Sequence, residues 1–279
     1  MTERGILVSR ILVALDSGTT VSAGLEVAAE LAGRLRAELQ GLFVEDGDLL
    51  QVAALPFTTQ VNLMTGGSLP LESADLELQM ARLASAARRR LSAAAERGHV
   101  PWSFRIVRGR IAQEVAAAAE TVDLVIVEGG LHRGPVLARL GLPARTTIQN
   151  LRRPVLVLRA GRHLTGPVAV VFDGTEIGEK ALQLADILTP DNNALTILFP
   201  EANPENRQAL EARARELLGP AGNAAHFRTL RAASLPALCE AAHGQKAGLL
   251  VLGADSPLLP RSNAAEILDS LDCPVLLVR

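Results

Sequence analysis

The sequence predicts an α/β protein: two tandem open parallel five-stranded sheets, each with helices on both faces. Three observations predict it. A strand–Asp–helix segment occurs twice, as ILVALDSGTTVSAGLEVAAELA and VAVVFDGTEIGEKALQLADIL. A closing strand occurs twice, as RRPVLVLR and DCPVLLVR. Between these marks, apolar runs of strand length alternate with stretches of helical period, the order that builds a parallel sheet through right-handed crossovers.

In the first copy the apolar runs predict strands near residues 11–15, 39–44, 102–107, 124–127 and 155–158. Helices are expected near 22–35, 75–97, 112–121 and 144–151. The second of these helices has the clearest period, with Leu76, Met80, Leu83, Ala87, Leu91 and Ala94 on one face. Gly98 and Pro101 supply its stop signals. The runs at Leu124 and Leu249 are apolar throughout, as strands covered on both faces should be. The domains are expected at 1–160 and 167–279, joined by a linker at 160–166. The second copy is the shorter, because the first carries an extra segment at 46–73. Gly66, Gly67 and two prolines argue against one long helix there. The segment reads as a surface loop with a short helical turn, or as a flap over the sheet's carboxyl edge.

Composition excludes several classes of function. The chain has 279 residues and is 48% apolar, so each copy can bury a core. Aromatic residues make up only 3% of it, so the cores must be aliphatic. A formal net charge of -2, with no basic face interleaved with aromatics, argues against nucleic acid. No apolar stretch approaches the roughly 20 residues that a membrane helix needs. The N-terminal apolar run is interrupted by Arg10 and ended by Asp16, which reads as a core strand and not a signal peptide. Cys239 and Cys273 have no metal-ligand spacing and read as buried thiols of a cytoplasmic protein. The triplet Arg88-Arg89-Arg90 lies on the polar side of its helix and reads as a solvated face.

Two motifs, each present twice, resemble the universal stress protein family. One is the opening strand that ends in Asp16-Ser17 and in Asp173-Gly174-Thr175. The other is the closing PVLVLR or PVLLVR. The resemblance covers nearly the whole chain and implies a tandem member that takes part in stress response. The family's nucleotide-binding members carry G-x-x-G-(nine residues)-G-[S/T] after the fourth strand. Glycines there let backbone amides reach a polyphosphate. This chain departs from the pattern in both copies. In the first, Glu128, Leu131, Gly141 and Leu142 stand at the four motif positions, and Pro143 lacks an amide hydrogen. Gly129, Gly130 and Gly134 still offer a shifted anion nest, with His132 and Arg133 beside it. In the second, Gly253 is kept, the loop is too short, and Ser262 or Asn263 serves equally well as a helix N-cap completed by Glu266.

The resemblance therefore implies one candidate nucleotide site, in the first copy, formed by Asp16, Ser17, Val44, Gly130, Gly134 and Gly141. Asp173 reads as a turn Asp that caps its helix. No cofactor is required on this reading; ATP is the candidate ligand, and weak or absent binding is expected. No catalytic or metal-binding motif is present among the recurrent ones. Three functions stay open: a stress-type binding or signalling protein that binds no nucleotide, an ATP switch using the first copy only, and an enzyme of the wider nucleotide-binding α/β group. The expected partners are an unidentified protein and an adenine nucleotide. The family's single-domain members dimerise through the final strand. That implies an internal pseudo-dimer here, with the two final strands side by side and antiparallel, burying Leu156, Leu158, Leu276 and Val278. A homodimer stays open.

Overall fold

The structure is a computed structural model that describes residues 8–15, 23–55, 58–61, 66–70, 73–129, 151–159, 164–189, 195–200, 203–256, 258, 271 and 273–279. By packing, the chain divides into one unit at Ser9–Leu151 and another built on Arg152–Arg279. The expected helix at 144–151 lies outside the described residues, apart from Leu151.

The first unit contains β1 (Arg10–Leu15), α1 (Ala23–Leu35), β2 (Glu38–Asp46), α2 (Gly47–Ala53), β3 (Thr59–Val61), β4 (Ser68–Pro70), α3 (Ser73–Arg97), β5 (Trp102–Gly109), α4 (Ile111–Ala119) and β6 (Leu124–Gly129). Its sheet runs β6-β1-β2-β5, with every pair parallel. Ile11, Leu39 and Leu124 stand side by side across three strands and are all buried. That explains the unbroken apolar runs: side chains on both faces of these strands leave water.

Helices pass into strands by one repeated device. After α1, Ala37 N–H donates to Ala32 C=O at 2.9 Å and Arg36 sits at φ 53°. After α3, Val100 N–H donates to Ala95 C=O at 2.9 Å and His99 sits at φ 52°. Both are helix ends of the Schellman type, in which a left-handed residue lets the next amide satisfy an orphan carbonyl. The sequence points to Gly98 as the stop, yet His99 takes the left-handed position.

The 46–73 segment is more ordered than a loop with one helical turn. Asp46 caps α2, its Oδ1 accepting from Asp48 N–H at 3.0 Å and Leu49 N–H at 3.3 Å. Ala53 is buried with Leu76 and Met80 of α3, and Leu49 and Leu50 pack against them. Strands β3 and β4 form a separate antiparallel ribbon, with Thr59 opposite Pro70. The apolar residues of this segment thus anchor it on α3.

The second unit contains β7 (Val155–Arg159), β8 (Val168–Val171), α5 (Glu176–Leu188), β9 (Leu195–Phe199), α6 (Pro204–Leu218), β10 (His226–Thr229), α7 (Leu235–Gly244), β11 (Leu249–Gly253) and β12 (Val275–Val278). Its sheet runs β10-β9-β8-β11-β12-β7. All its pairs are parallel except the last. The device at the helix ends recurs after α7, where Lys246 sits at φ 50° and Ala247 N–H reaches Ala242 C=O at 3.0 Å. Strands β7 and β12 lie side by side and antiparallel, with Leu276 opposite Leu156 and Val275 opposite Val157. Leu156, Leu158, Leu276 and Val278 are each at most 1% exposed. The final strands thus pair as the sequence suggests. By packing, β7 counts with the second unit although it ends the first repeat.

Gly41 marks where α3 comes closest to the first sheet. A Cβ there would stand 2.5 Å from Leu91 Cδ2 and 2.8 Å from Phe104 Cδ2. Leu91 is fully buried, so it has little room to yield. Gly41→Val should therefore destabilise the first unit by about 1–3 kcal/mol. Urea unfolding followed by circular dichroism would measure this, and an unchanged midpoint would show that α3 does not sit tightly on β2.

Candidate functional site

In open parallel sheets, ligands bind beyond the carboxyl ends of the strands. In the first unit that edge follows Leu15, Asp46, Gly109 and Gly129. Of the predicted site residues, Val44 is described. It is 1% exposed and stands in register with Val107. Its side chain is part of the core and presents no polar group to a ligand. Asp16, Ser17, Gly130, Gly134 and Gly141 lie outside the described residues.

The described polar residues at this edge are engaged with one another. Arg108 Nε donates to Glu45 Oε2 at 3.0 Å, and Arg108 Nη1 donates to Glu77 Oε1 at 3.2 Å. The hydrogen bond to Glu45, together with its charge, raises the Arg108 pKa above the ordinary value. Arg110 Nε donates to Asp48 Oδ1 at 3.3 Å. Asp46 is occupied as the α2 cap. Glu45 thus joins β2 to β5, Arg108 carries the link on to α3 through Glu77, and Asp46 caps α2. Sequence reading missed Arg108 and Arg110. Their only signal is the alternation of arginines in RIVRGR, next to acids far away along the chain.

The second unit shows how the same edge can close on itself. Asp173 follows β8 and turns back: its Oδ1 accepts from Thr175 N–H at 3.1 Å and from Thr175 Oγ1–H at 2.7 Å. Thr175 caps α5, its Oγ1 accepting from Gly178 N–H at 3.0 Å. The helix cap is therefore Thr175 and not Asp173, which makes the turn as expected but acts by orienting Thr175. Phe172 and Phe199, at the strand ends, are fully buried and meet edge to face with ring centroids 6.4 Å apart. Gly253 occupies the first glycine position, but its open side faces the protein: a Cβ there would meet Ile177 Cγ2 at 3.0 Å. The chain then turns at once, Ser256 N–H donating to Gly253 C=O at 3.1 Å. Ser256 and Leu258 are both 3% exposed. Ser262, Asn263 and Glu266 lie outside the described residues.

Among the described residues, no three His, Cys, Asp or Glu residues come together as a metal site. Burial pushes the Cys239 thiol up, away from the reactive thiolate. No described helix is long and apolar enough to cross a membrane.

No sequence-family model matches the chain, and no curated protein matches it either. Its fold does match solved structures. A universal stress protein from Archaeoglobus fulgidus DSM 4304 superposes with a TM-score of 0.63 at 16% identity, over 95% of each chain. A functionally unknown protein from Pseudomonas aeruginosa PAO1 gives 0.57 at 20% identity, covering 97% of this chain and 92% of its own. A candidate universal stress protein from Pseudomonas aeruginosa UCBPP-PA14 gives 0.56 at 20% identity with the same coverage. The chain therefore has the universal-stress-protein fold along almost its full length.

The cap at the second edge can be tested by stability. Thr175→Ala should cost about 1 kcal/mol, the usual loss for a helix N-cap, and Asp173→Ala a smaller amount in the same direction. Chemical denaturation measures both. An Asp173→Ala protein as stable as the wild type would show that this Asp has no structural task and is kept for something else.

Proposed function

We propose that this chain is a universal-stress-type binding or signalling protein whose nucleotide-binding loop is degenerate in both copies, so that neither serves as a nucleotide site. The observation that carries this reading is the second copy's carboxyl edge. Asp173 is spent on a cap, Gly253 faces Ile177, and the following turn buries Ser256 and Leu258. A polyphosphate needs free amides and open space at that place. Here the protein's own side chains and backbone occupy the polar groups. The first copy follows the same tendency in its sequence, with Glu128, Leu131, Leu142 and Pro143 along the loop. Its described edge carboxylates Glu45 and Asp46 are already engaged. On this reading the chain has no dedicated catalytic task, needs no cofactor, and works in a reducing cytoplasm.

A second reading keeps one site in the first copy. Gly129, Gly130 and Gly134 favour it, because three glycines from the end of β6 onward suit close backbone approach to an anion. ATP would then be the ligand and the first copy a switch. Isothermal titration with ATP and magnesium separates the two. Little or no heat is expected. Micromolar affinity at one site per chain would overturn the proposal in favour of the switch, and Gly130→Val or Gly134→Val should then abolish that binding.

A further inference from the structure

The sheet of the first unit ends on β5, a strand of eight residues. Among the described residues, no strand pairs with its outer edge. Proteins usually blunt such an edge by shortening it or covering it. The second unit uses the first device: its end strand β10 has four residues. In β5 neither device is present among the described residues.

Backbone register shows what that edge offers. Leu39 N–H donates to Pro101 C=O at 2.8 Å, and Leu39 stands beside Trp102. In a parallel ladder, alternate residues of a strand turn both their N–H and C=O to the same neighbour. Ser103, Arg105 and Val107 therefore face β2, while the amides and carbonyls of Trp102, Phe104, Ile106 and Arg108 face outward. Side chains alternate between the faces of the sheet. A Cβ on Gly41 would touch both Leu91 of α3 and Phe104, so Phe104 lies on the α3 face. Trp102 and Ile106 share that face, and Ile106 is 51% exposed. Arg105 lies on the other face and is exposed.

Charge selects the occupant. Glu45 and Glu77 are paired with Arg108 and Asp48 with Arg110, whereas Glu38 meets the neutral Ser103 Oγ–H at 3.0 Å and keeps its charge. Among the described residues Arg105 has no ion pair. On α3, exposed Arg88 follows Glu77 by three helical turns and so shares the flank from which Glu77 reaches β5. Arg105 is the cation that the strand itself carries without an ion pair among the described residues. A second copy pairing there in antiparallel fashion would bring Arg105 of both chains to one seam, where like charges oppose each other.

We propose that the outer edge of β5 is a docking site for an extended acidic segment of a partner protein, which adds to the sheet as a strand. Alternate apolar residues of that segment cover Phe104 and Ile106, and its carboxylates meet Arg105. Main-chain hydrogen bonds hold the segment, and the side-chain alternation selects it.

Trp102 makes the site directly observable, because it is the one Trp of a chain without Tyr. The full-length protein is titrated with a capped peptide of alternating Glu and Val, and separately with its Lys–Val counterpart. Saturable movement of Trp102 emission to shorter wavelength is expected with the Glu–Val peptide, and severalfold weaker binding with the Lys–Val peptide. Arg105→Glu should reverse that order. Ile106→Pro removes an outward amide while leaving the ladder to β2 intact, so it should abolish the response to both peptides without lowering the thermal midpoint by more than an edge substitution does. No saturable response, equal response to both peptides, or a dimer that Ile106→Pro converts to monomer would each overturn the proposal.

Discussion

The structure of the second unit depends on the pairing of β12. This strand is apolar throughout and fully buried, and it has β11 on one side and β7 on the other. A buried backbone amide or carbonyl without a partner costs about 1–3 kcal/mol. A four-residue strand with an open edge could not stay in the interior at that cost. Strand β7 removes the problem, and in doing so it takes the final strand of one repeat into the sheet of the other. Once β12 is fixed, Ala254 N–H can donate to Val278 C=O at 2.7 Å. That bond holds the first residue after β11, where the turn that closes the second edge begins.

The two copies share an ancestral pattern but have put it to different use. In both, the first apolar run of the sequence is followed by an Asp, Asp16 or Asp173, and the second strand carries a Phe, Phe43 or Phe199. In the second copy each polar feature of that pattern has become structural: the Asp orients a cap and the Gly receives a side chain of α5. In the first copy the long 46–73 segment brings Asp46 and Asp48 to the carboxyl edge, where Arg110 meets Asp48 and Arg108 ties Glu45 to Glu77 of α3. These pairs are substantially exposed on the arginine side, so each adds little stability alone. Their effect is to fix geometry: they set α2 and α3 against the end of β5.

The strands and the long helix were legible in the sequence because burial on both faces leaves no polar residue in a run, and burial on one face leaves a period. Leu76, Met80, Ala87, Leu91 and Ala94 are buried as their spacing implies. Leu83, on the border of that face, is only half-buried. The helix ends were less legible. Arg36, His99 and Lys246 adopt left-handed backbone without being Gly, Asn or Asp, the types that signal it. The bond from the next amide back to the last helical turn holds that conformation, and the residue at the turn does not signal it by its type. The ion pairs of Arg108 were hidden for a related reason, since Glu45 and Glu77 are remote along the chain and meet it only after the crossovers close. Helix α2 had one readable mark, the Asp46 cap, and the glycines and prolines around it pointed to a loop. Of the candidate nucleotide site, Val44 is described, and it proved to be core.

The pairing of β7 with β12 is tested most directly by cutting the chain on either side of β7. Two fragments, residues 152–279 and 167–279, would be unfolded in urea and compared in soluble yield and cooperativity. If β12 needs β7, the longer fragment unfolds in a single cooperative transition, while the shorter one is markedly less stable or aggregates through its open apolar edge. Equal stability of the two fragments would contradict this and would place β7 outside the second unit.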